Sequence, residues 1–313
     1  MTAAAFPAGE LRDVRQDAAA MEVVEHLIAE LCDYLSRAGV DDSVHEANDI
    51  LARLMDMPSW WPIMHPHETV DTGVAHAARR AAQLRGLGAP MPYAVGRAPF
   101  RHLTLNVDER VLIPRPETEI LVDLVLNSVP LGAGGTVIDV GTGSGALALA
   151  LAFEGQFERI VGTDISADAI AVARRNAQLL PSEAAARVEF RQGSWLAPVR
   201  ELRACVVVCN PPYVAYGEAE TLDRAVRGWE PAVALFTGND GLAATAEVIR
   251  ESADVLTADG LLALEVDSRR SERAAAMVAA DGRYTDIVVH QDLTGRDRFV
   301  TARRCADAGR QGD

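Results

Sequence analysis

The sequence predicts an α/β protein in which an open, mostly parallel sheet of seven strands follows a small helical domain, the two joined by a β-hairpin. Three observations predict it. Apolar residues before Gly88 recur at helical spacing, and between Ala89 and Ile113 the spacing shortens to that of strands. Beyond Gly132, short Val/Ile/Leu runs alternate with helical stretches, the pattern of a parallel sheet covered on both faces.

Residues 1–16 are rich in Ala and lack a period, and are expected to form a flexible N-terminus. From about Asp17, Val24, Leu27, Ile28, Leu31 and Leu35 form a helical stripe that Gly39 ends. Ser43 and Glu46 have capping-box spacing ahead of a second stripe, Ala47, Ile50, Leu51 and Leu54. A third helix is expected over Val74–Arg85, so that residues 17–88 make a helical domain. In residues 89–113, Tyr93, Val95, Phe100, Leu103, Leu105, Val107, Val111 and Ile113, interrupted by Gly96 and Asp108, predict a β-hairpin linker. Pro116, Glu117 and Glu119 then suit the first turn of a helix, and the stiffness of Pro114-Arg115-Pro116 also makes it a candidate cleft wall. Strands are expected at 136–140, 160–164, 188–191, 206–209, 261–266, 287–290 and 299–302. Helices lie between them, notably over 167–179 and 242–256, and the whole sheet domain covers 114–304 before a flexible tail at 305–313.

Composition narrows the function. No apolar run has the length of a membrane span and no charged-then-apolar leader opens the chain, so a cytoplasmic protein without membrane contact is expected. Net charge is −15, and all 30 basic residues are arginine. Without an Arg-rich face interleaved with aromatics, a protein or small-molecule substrate is favoured over nucleic acid. Four scattered cysteines and the His65-Pro66-His67 loop lack metal-ligand spacing, so no metal is expected.

Val137-Ile138-Asp139-Val140 runs into Gly141-Thr142-Gly143-Ser144-Gly145, a strand ending in a glycine turn that opens a helix. Glycines let the backbone turn sharply and approach a ligand closely. Gly141, Gly143 and Ala146 also satisfy the dinucleotide pattern G-x-G-x-x-A, and Asp164 at the end of the next strand suits the ribose of NAD and of S-adenosylmethionine (SAM) alike. Asp139 separates them. A carboxylate ahead of the turn repels a pyrophosphate and favours a phosphate-free, cationic ligand, which SAM is. Ser194 and Trp195, after the third strand, are candidates for an adenine contact or for packing.

Asn210-Pro211-Pro212-Tyr213 leaves the apolar run Val206–Cys209 at its C-terminal end, where open α/β sheets place their chemistry. Neither proline has an N–H to donate, so pairing stops there. The stiff loop that remains offers carbonyl oxygens, one amide and one aromatic face, the groups that hold a planar NH₂ by its hydrogens. It equally suits a plain turn with an aromatic lid.

Joined to the glycine loop, these residues make the chain resemble the class I SAM-dependent methyltransferases, whose sheet is Rossmann-like and mostly parallel. It is more closely similar to the HemK/PrmC family of protein-(glutamine N5) methyltransferases acting on peptide chain release factors. The resemblance rests on Leu112-Ile113-Pro114-Arg115-Pro116-Glu117-Thr118-Glu119 together with Asn210–Tyr213, supported by Asp164-Ile165-Ser166, Asn176-Ala177, Glu230-Pro231 and Asp297-Arg298. It implies SAM as cofactor, held by Asp139, Gly141, Thr142, Gly143, Ser144, Gly145, Asp164, Ile165, Ser194, Trp195 and Asn210. It implies Asn210, Pro211, Pro212 and Tyr213 as the catalytic, acceptor-binding loop, with Phe100, Arg115 and Glu117 as the opposite wall. A release factor is the implied partner, recognised by the helical domain. Two departures stand out: Glu265-Val266-Asp267-Ser268-Arg269-Arg270 replaces the usual Glu-Ile-Gly-x-x-Gln, and Cys205 stands where an acidic residue is common. The residues leave room for a nucleic-acid amine, a small molecule or a peptide as acceptor, or for a SAM- or partner-binding protein without catalysis.

Overall fold

Residues 21–129 and 134–306 are described in the structure, a computed structural model, and divide into two compact units after Val95. The expected flexible N-terminus at 1–16, the start of the first expected helix and all but two residues of the 305–313 tail lie outside the described residues.

In the first unit, α1 (Val24–Arg37) buries Val24, Leu27, Leu31 and Leu35, the stripe seen in the sequence. Helix α2 (Ser43–Leu54) adds Ala47, Ile50 and Leu51, and α3 (Thr72–Gly86) adds Ala75, Ala78, Ala81 and Ala82 to the same core. Three details differ from expectation. Residues Met21–Val23 form strand β1, antiparallel to β2 (Thr69–Asp71), so the first helix begins at Val24. The cap of α2 is Asp42, whose carboxylate accepts from the His45 N–H, and Glu46 instead takes a bidentate pair of bonds from Arg85 at 2.7 and 2.6 Å. A charge-assisted fork outcompetes a local capping bond. Residues Met91–Val95, expected in the hairpin, form a helical turn whose Ala94 and Val95 complete this core.

The second unit opens with the hairpin β3 (Arg97–Phe100) and β4 (Leu103–Asn106), followed by α4 (Thr118–Ser128). Then come β5 (Thr136–Val140), α5 (Ala146–Glu154), β6 (Arg159–Asp164), α6 (Ala167–Ala177), β7 (Val188–Gln192) and β8 (Ala204–Cys209). The short strands β9 (Val214–Ala215) and β10 (Phe236–Thr237) pair with each other. Finally α7 (Ala243–Val255), β11 (Leu256–Glu265), α8 (Ser271–Asp281), β12 (Tyr284–Gln291) and β13 (Asp297–Arg304) close the unit.

The seven-stranded sheet has the order β12-β13-β11-β8-β5-β6-β7, parallel except that β13 runs against both neighbours. Its central strands are apolar on both sides because both faces are covered. Val206 and Val208 pack with α4 and α5, whereas Val207 and Cys209 pack with α7 and α8. From β5 the chain winds outward through β6 to β7, then returns to the other flank of β5 as β8. That reversal opens a crevice at the C-terminal strand ends. Val140 is paired with both Thr163 and Cys209, so Gly141, Asp164 and Asn210 leave the sheet side by side. Among the described residues no helix is long and apolar enough to cross a membrane.

Gly162, beside Asp139 in the sheet, shows how tightly this region is packed. A Cβ there would lie 2.6 Å from the Phe190 ring and 2.7 Å from Thr142 Oγ1. Gly162→Ala is therefore expected to destabilise the fold by about 1–3 kcal/mol, read as a lowered urea midpoint.

Candidate active site

The crevice is walled on one side by the glycine turn. Gly141, Gly143 and Gly145 all have positive φ, at 71°, 55° and 85°, which a side chain at these positions would oppose. Gly141 and Gly143 face the cavity with Asp164, Ile165, Ser194 and Trp195. Asn210 and Pro212 form another part of its wall. Seven of the residues expected to bind cofactor, all of these but Pro212, thus meet in one cavity.

Asp139, Thr142, Ser144 and Gly145 stand behind the turn and shape it. Asp139 Oδ2 accepts from the Thr142 hydroxyl at 2.6 Å and from the Ala148 N–H at 3.1 Å, while its Oδ1 is buried without a partner. Burial is the main reason its carboxyl is raised to about 6; the Thr142 and Ala148 bonds oppose the rise and the nearby Asp164 charge adds to it. A carboxyl raised on folding stabilises the fold fully below its unfolded value near 3.8 and loses that contribution as pH rises through 6. Asp139→Asn, which keeps an acceptor for Thr142 and Ala148, is expected to gain about 2 kcal/mol relative to wild type between pH 4 and pH 7. Parallel urea titrations of the two proteins across that range test it.

Asp164 holds the turn from the other side. Its Oδ2 accepts from the Gly143 N–H and its Oδ1 from the Ser166 N–H, both at 2.9 Å, and burial raises its carboxyl against the pull of these bonds. Ser144 is tied through its carbonyl to Asn176, whose side chain also bonds Asn106 on β4.

Asn210 donates through Nδ2 to Thr118 Oγ1 at 3.1 Å, which leaves its carbonyl oxygen as the side-chain atom for a ligand. The Tyr213 hydroxyl accepts from Arg298 at 3.2 Å, and the Arg298 guanidinium carbon stands 5.9 Å from its ring centroid. Burial, with the Glu265 charge, pushes the Tyr213 hydroxyl up to about 12 against Arg298 and Arg115.

Three expected wall residues are placed elsewhere. Phe100 is fully buried in the core with Leu105, Leu121 and Val122, because β3 turns Ala98 and Phe100 inward. It is a packing residue, not a cavity wall. Arg115 forms an ion pair at 2.6 Å with buried Glu230, and Glu117 stands at the N-cap position of α4 without a side-chain capping bond. Neither lines the cavity, although Glu230 precedes Pro231, which does.

The remaining wall was not assigned to the site from the sequence. It consists of Arg110, Val111, Leu112, Ser166, Ala169, Pro231, Val233, Ala234, Phe236 and Thr237. The charge of Arg110 is matched by a bidentate pair to Asp108 at 2.8 and 2.6 Å. The available signals were Leu112, Ser166 and Pro231, which stand in motifs of the resemblance but have no local chemistry to interpret. The departures in the segment after Glu265 belong to this wall's support. Arg270 Nη1 stands 3.3 Å from Asp267, and Arg270 donates to the Asp240 carbonyl at 2.6 Å and to Glu218 at 2.8 Å. The Asp at the usual glycine and the Arg at the usual glutamine are thus partners. Cys205 directs its thiol to the Thr136 carbonyl at 3.3 Å.

A crevice at the β5/β8 switch, a glycine turn backed by a carboxylate, and an Asn-Pro-Pro-Tyr loop beside it define a class I methyltransferase. The Methyltransferase small domain family matches residues 117–227. A release factor glutamine methyltransferase of Lactococcus lactis subsp. lactis is 33% identical over 285 residues, covering 90% of this chain and 99% of that protein. The protein of the same description from Synechocystis is 38% identical over 68% of this chain and 73% of its own. That from Moorella thermoacetica is 40% identical over 72% and 78%. The chain belongs to the release factor glutamine methyltransferase family.

Proposed function

We infer that this protein transfers a methyl group from SAM to the side-chain amide nitrogen, N5, of a glutamine in a peptide chain release factor. The observation that carries the reading is the Asn210 carboxamide, at the end of the central strand β8 beside the glycine turn, with its NH₂ engaged by Thr118 and its oxygen left for the cavity.

The residues fit the cofactor. The wall carries the Asp164 carboxylate and mostly apolar side chains, its arginine is neutralised by Asp108, and Asp139 adds a buried, unpartnered carboxylate oxygen behind the turn. That environment favours a cationic nucleoside without phosphates over a dinucleotide. Asp164 would accept hydrogen bonds from the ribose hydroxyls, Ser194, Trp195 and Ile165 would flank the adenine, and Gly141 and Gly143 would allow close backbone approach. SAM supplies an electrophilic methyl group.

A glutamine amide nitrogen is a poor nucleophile because its lone pair is shared with the carbonyl. Asn210 Oδ1 and the Pro211 carbonyl accept its two hydrogens, orient it, and stabilise the positive charge that develops as the C–N bond forms. The methylated nitrogen then gives up its proton to solvent water. Pro211 and Pro212 fix this loop in advance, and preorganisation of this kind contributes up to about 7–11 kcal/mol in favourable systems. Tyr213, held by Arg298, supports the loop from behind.

In this reading the first unit recognises the release factor, which the exposed Trp60, Ile63 and Met64 support by giving it an apolar surface. The reaction is cytoplasmic, where release factors act. Transfer of label from SAM to purified release factor tests the function. Activity that survives nuclease treatment supports it, and activity that requires intact nucleic acid would favour a base amine as acceptor.

A further inference from the structure

Both ends of Asn210-Pro211-Pro212-Tyr213 lead back to one buried side chain. The Thr118 hydroxyl donates to Glu265 Oε2 at 2.6 Å and accepts from Asn210 Nδ2 at 3.1 Å. On the other branch, Arg298 lies 3.6 Å from Glu265 Oε1 and donates to the Tyr213 hydroxyl. The Glu265 side chain is fully buried, Thr118 is 5% exposed, and neither lines the cavity. Burying a carboxylate is costly, and at the edge of a catalytic loop it calls for a reason.

The reason lies in hydrogen-bond direction. A carboxylate accepts and cannot donate, so the Thr118 proton must point to Glu265. The Thr118 oxygen then has only lone pairs for Asn210, so it must receive the NH₂ of that carboxamide. The Asn210 oxygen is thereby turned away from Thr118. A neutral hydroxyl without the carboxylate could bond either end of the amide, and the flipped form would present an NH₂ to the NH₂ of the acceptor.

We propose that Glu265, acting through the Thr118 hydroxyl, is a positioning residue that sets the Asn210 carboxamide with its oxygen toward the acceptor amide. The proposal rests on the reading of the site as an amide N-methyltransferase. Burial raises the Glu265 carboxyl, and the Thr118 hydrogen bond and the Arg298 charge beside its second oxygen oppose that rise. The relay acts in the ionised form, and Arg298 extends the same control to Tyr213.

The test uses Thr118→Val, which keeps the shape and removes the hydroxyl, Thr118→Ser, which keeps the hydroxyl, and Glu265→Gln. Thr118→Val and Glu265→Gln are expected to lower kcat on release factor about 100-fold, with SAM affinity within about threefold of wild type. Thr118→Ser is expected to stay within about threefold in both. A second readout needs no activity: in ¹⁵N-labelled protein, the Asn210 side-chain NH₂ should be protected from exchange in wild type and Thr118→Ser and should lose that protection in Thr118→Val. Unchanged turnover or unchanged protection in Thr118→Val would overturn the proposal, as would an equal loss in Thr118→Ser. If wild type failed to methylate release factor, the substrate reading would fall, and the exchange comparison alone would decide the relay.

Discussion

Asn210→Ala is expected to reduce methyl transfer to release factor by at least about 100-fold, through kcat, while SAM affinity stays within about tenfold. The asymmetry follows from what the side chain touches. Its one observed bond, to Thr118, contributes only about 1 kcal/mol to the fold, so the variant should remain folded. In the proposed mechanism its oxygen, by contrast, accepts from the acceptor amide, and alanine would leave one amide hydrogen unpaired in the transition state. Steady-state kinetics with purified release factor and calorimetry with SAM separate the two. A variant that lost SAM binding or folding instead would make Asn210 a structural residue.

Asp164→Ala should show the converse, a SAM affinity weakened by about 100-fold or more, since hydrogen bonds to a charged acceptor are worth about 1.5–3 kcal/mol each. The carboxylate has a second role, because it also accepts from the Gly143 and Ser166 N–H groups. Asp164→Asn keeps an acceptor for the turn and should fall between wild type and alanine. Calorimetric titration of the three proteins gives the order, and unchanged affinity in Asp164→Ala would remove the ribose assignment.

The sheet was largely legible because its strands are buried on both faces and therefore read as continuous apolar runs, Val206–Cys209 above all. The two loops of the crevice were legible for a related reason: glycines and prolines interrupt those runs at the strand ends. What escaped depends on partners distant in sequence. Glu46 was assigned to a local capping box, yet its partner Arg85 lies 39 residues on. Strand β1 has three residues, too few for a period, and exists because it pairs with Thr69–Asp71. Phe100 was expected at the cleft on the family resemblance, but the alternation of β3 sends it into the core. Thr118 and Glu265 were both within recognised motifs, and their bond spans 147 positions, so no spacing rule could join them. The cavity wall from Pro231 to Thr237 reaches the site through the pairing of β10 with β9, another long-range contact.

The acceptor in the proposed reaction is a glutamine amide in a release factor. Incubation of the enzyme with SAM and purified release factor, followed by fragmentation mass spectrometry of the product, addresses it most directly. The expected spectrum places one added methyl on the side-chain nitrogen of a single glutamine, absent when Asn210→Ala replaces the wild-type enzyme. An unmodified release factor in the presence of an enzyme that binds SAM, or a methyl on any residue other than glutamine, would contradict it.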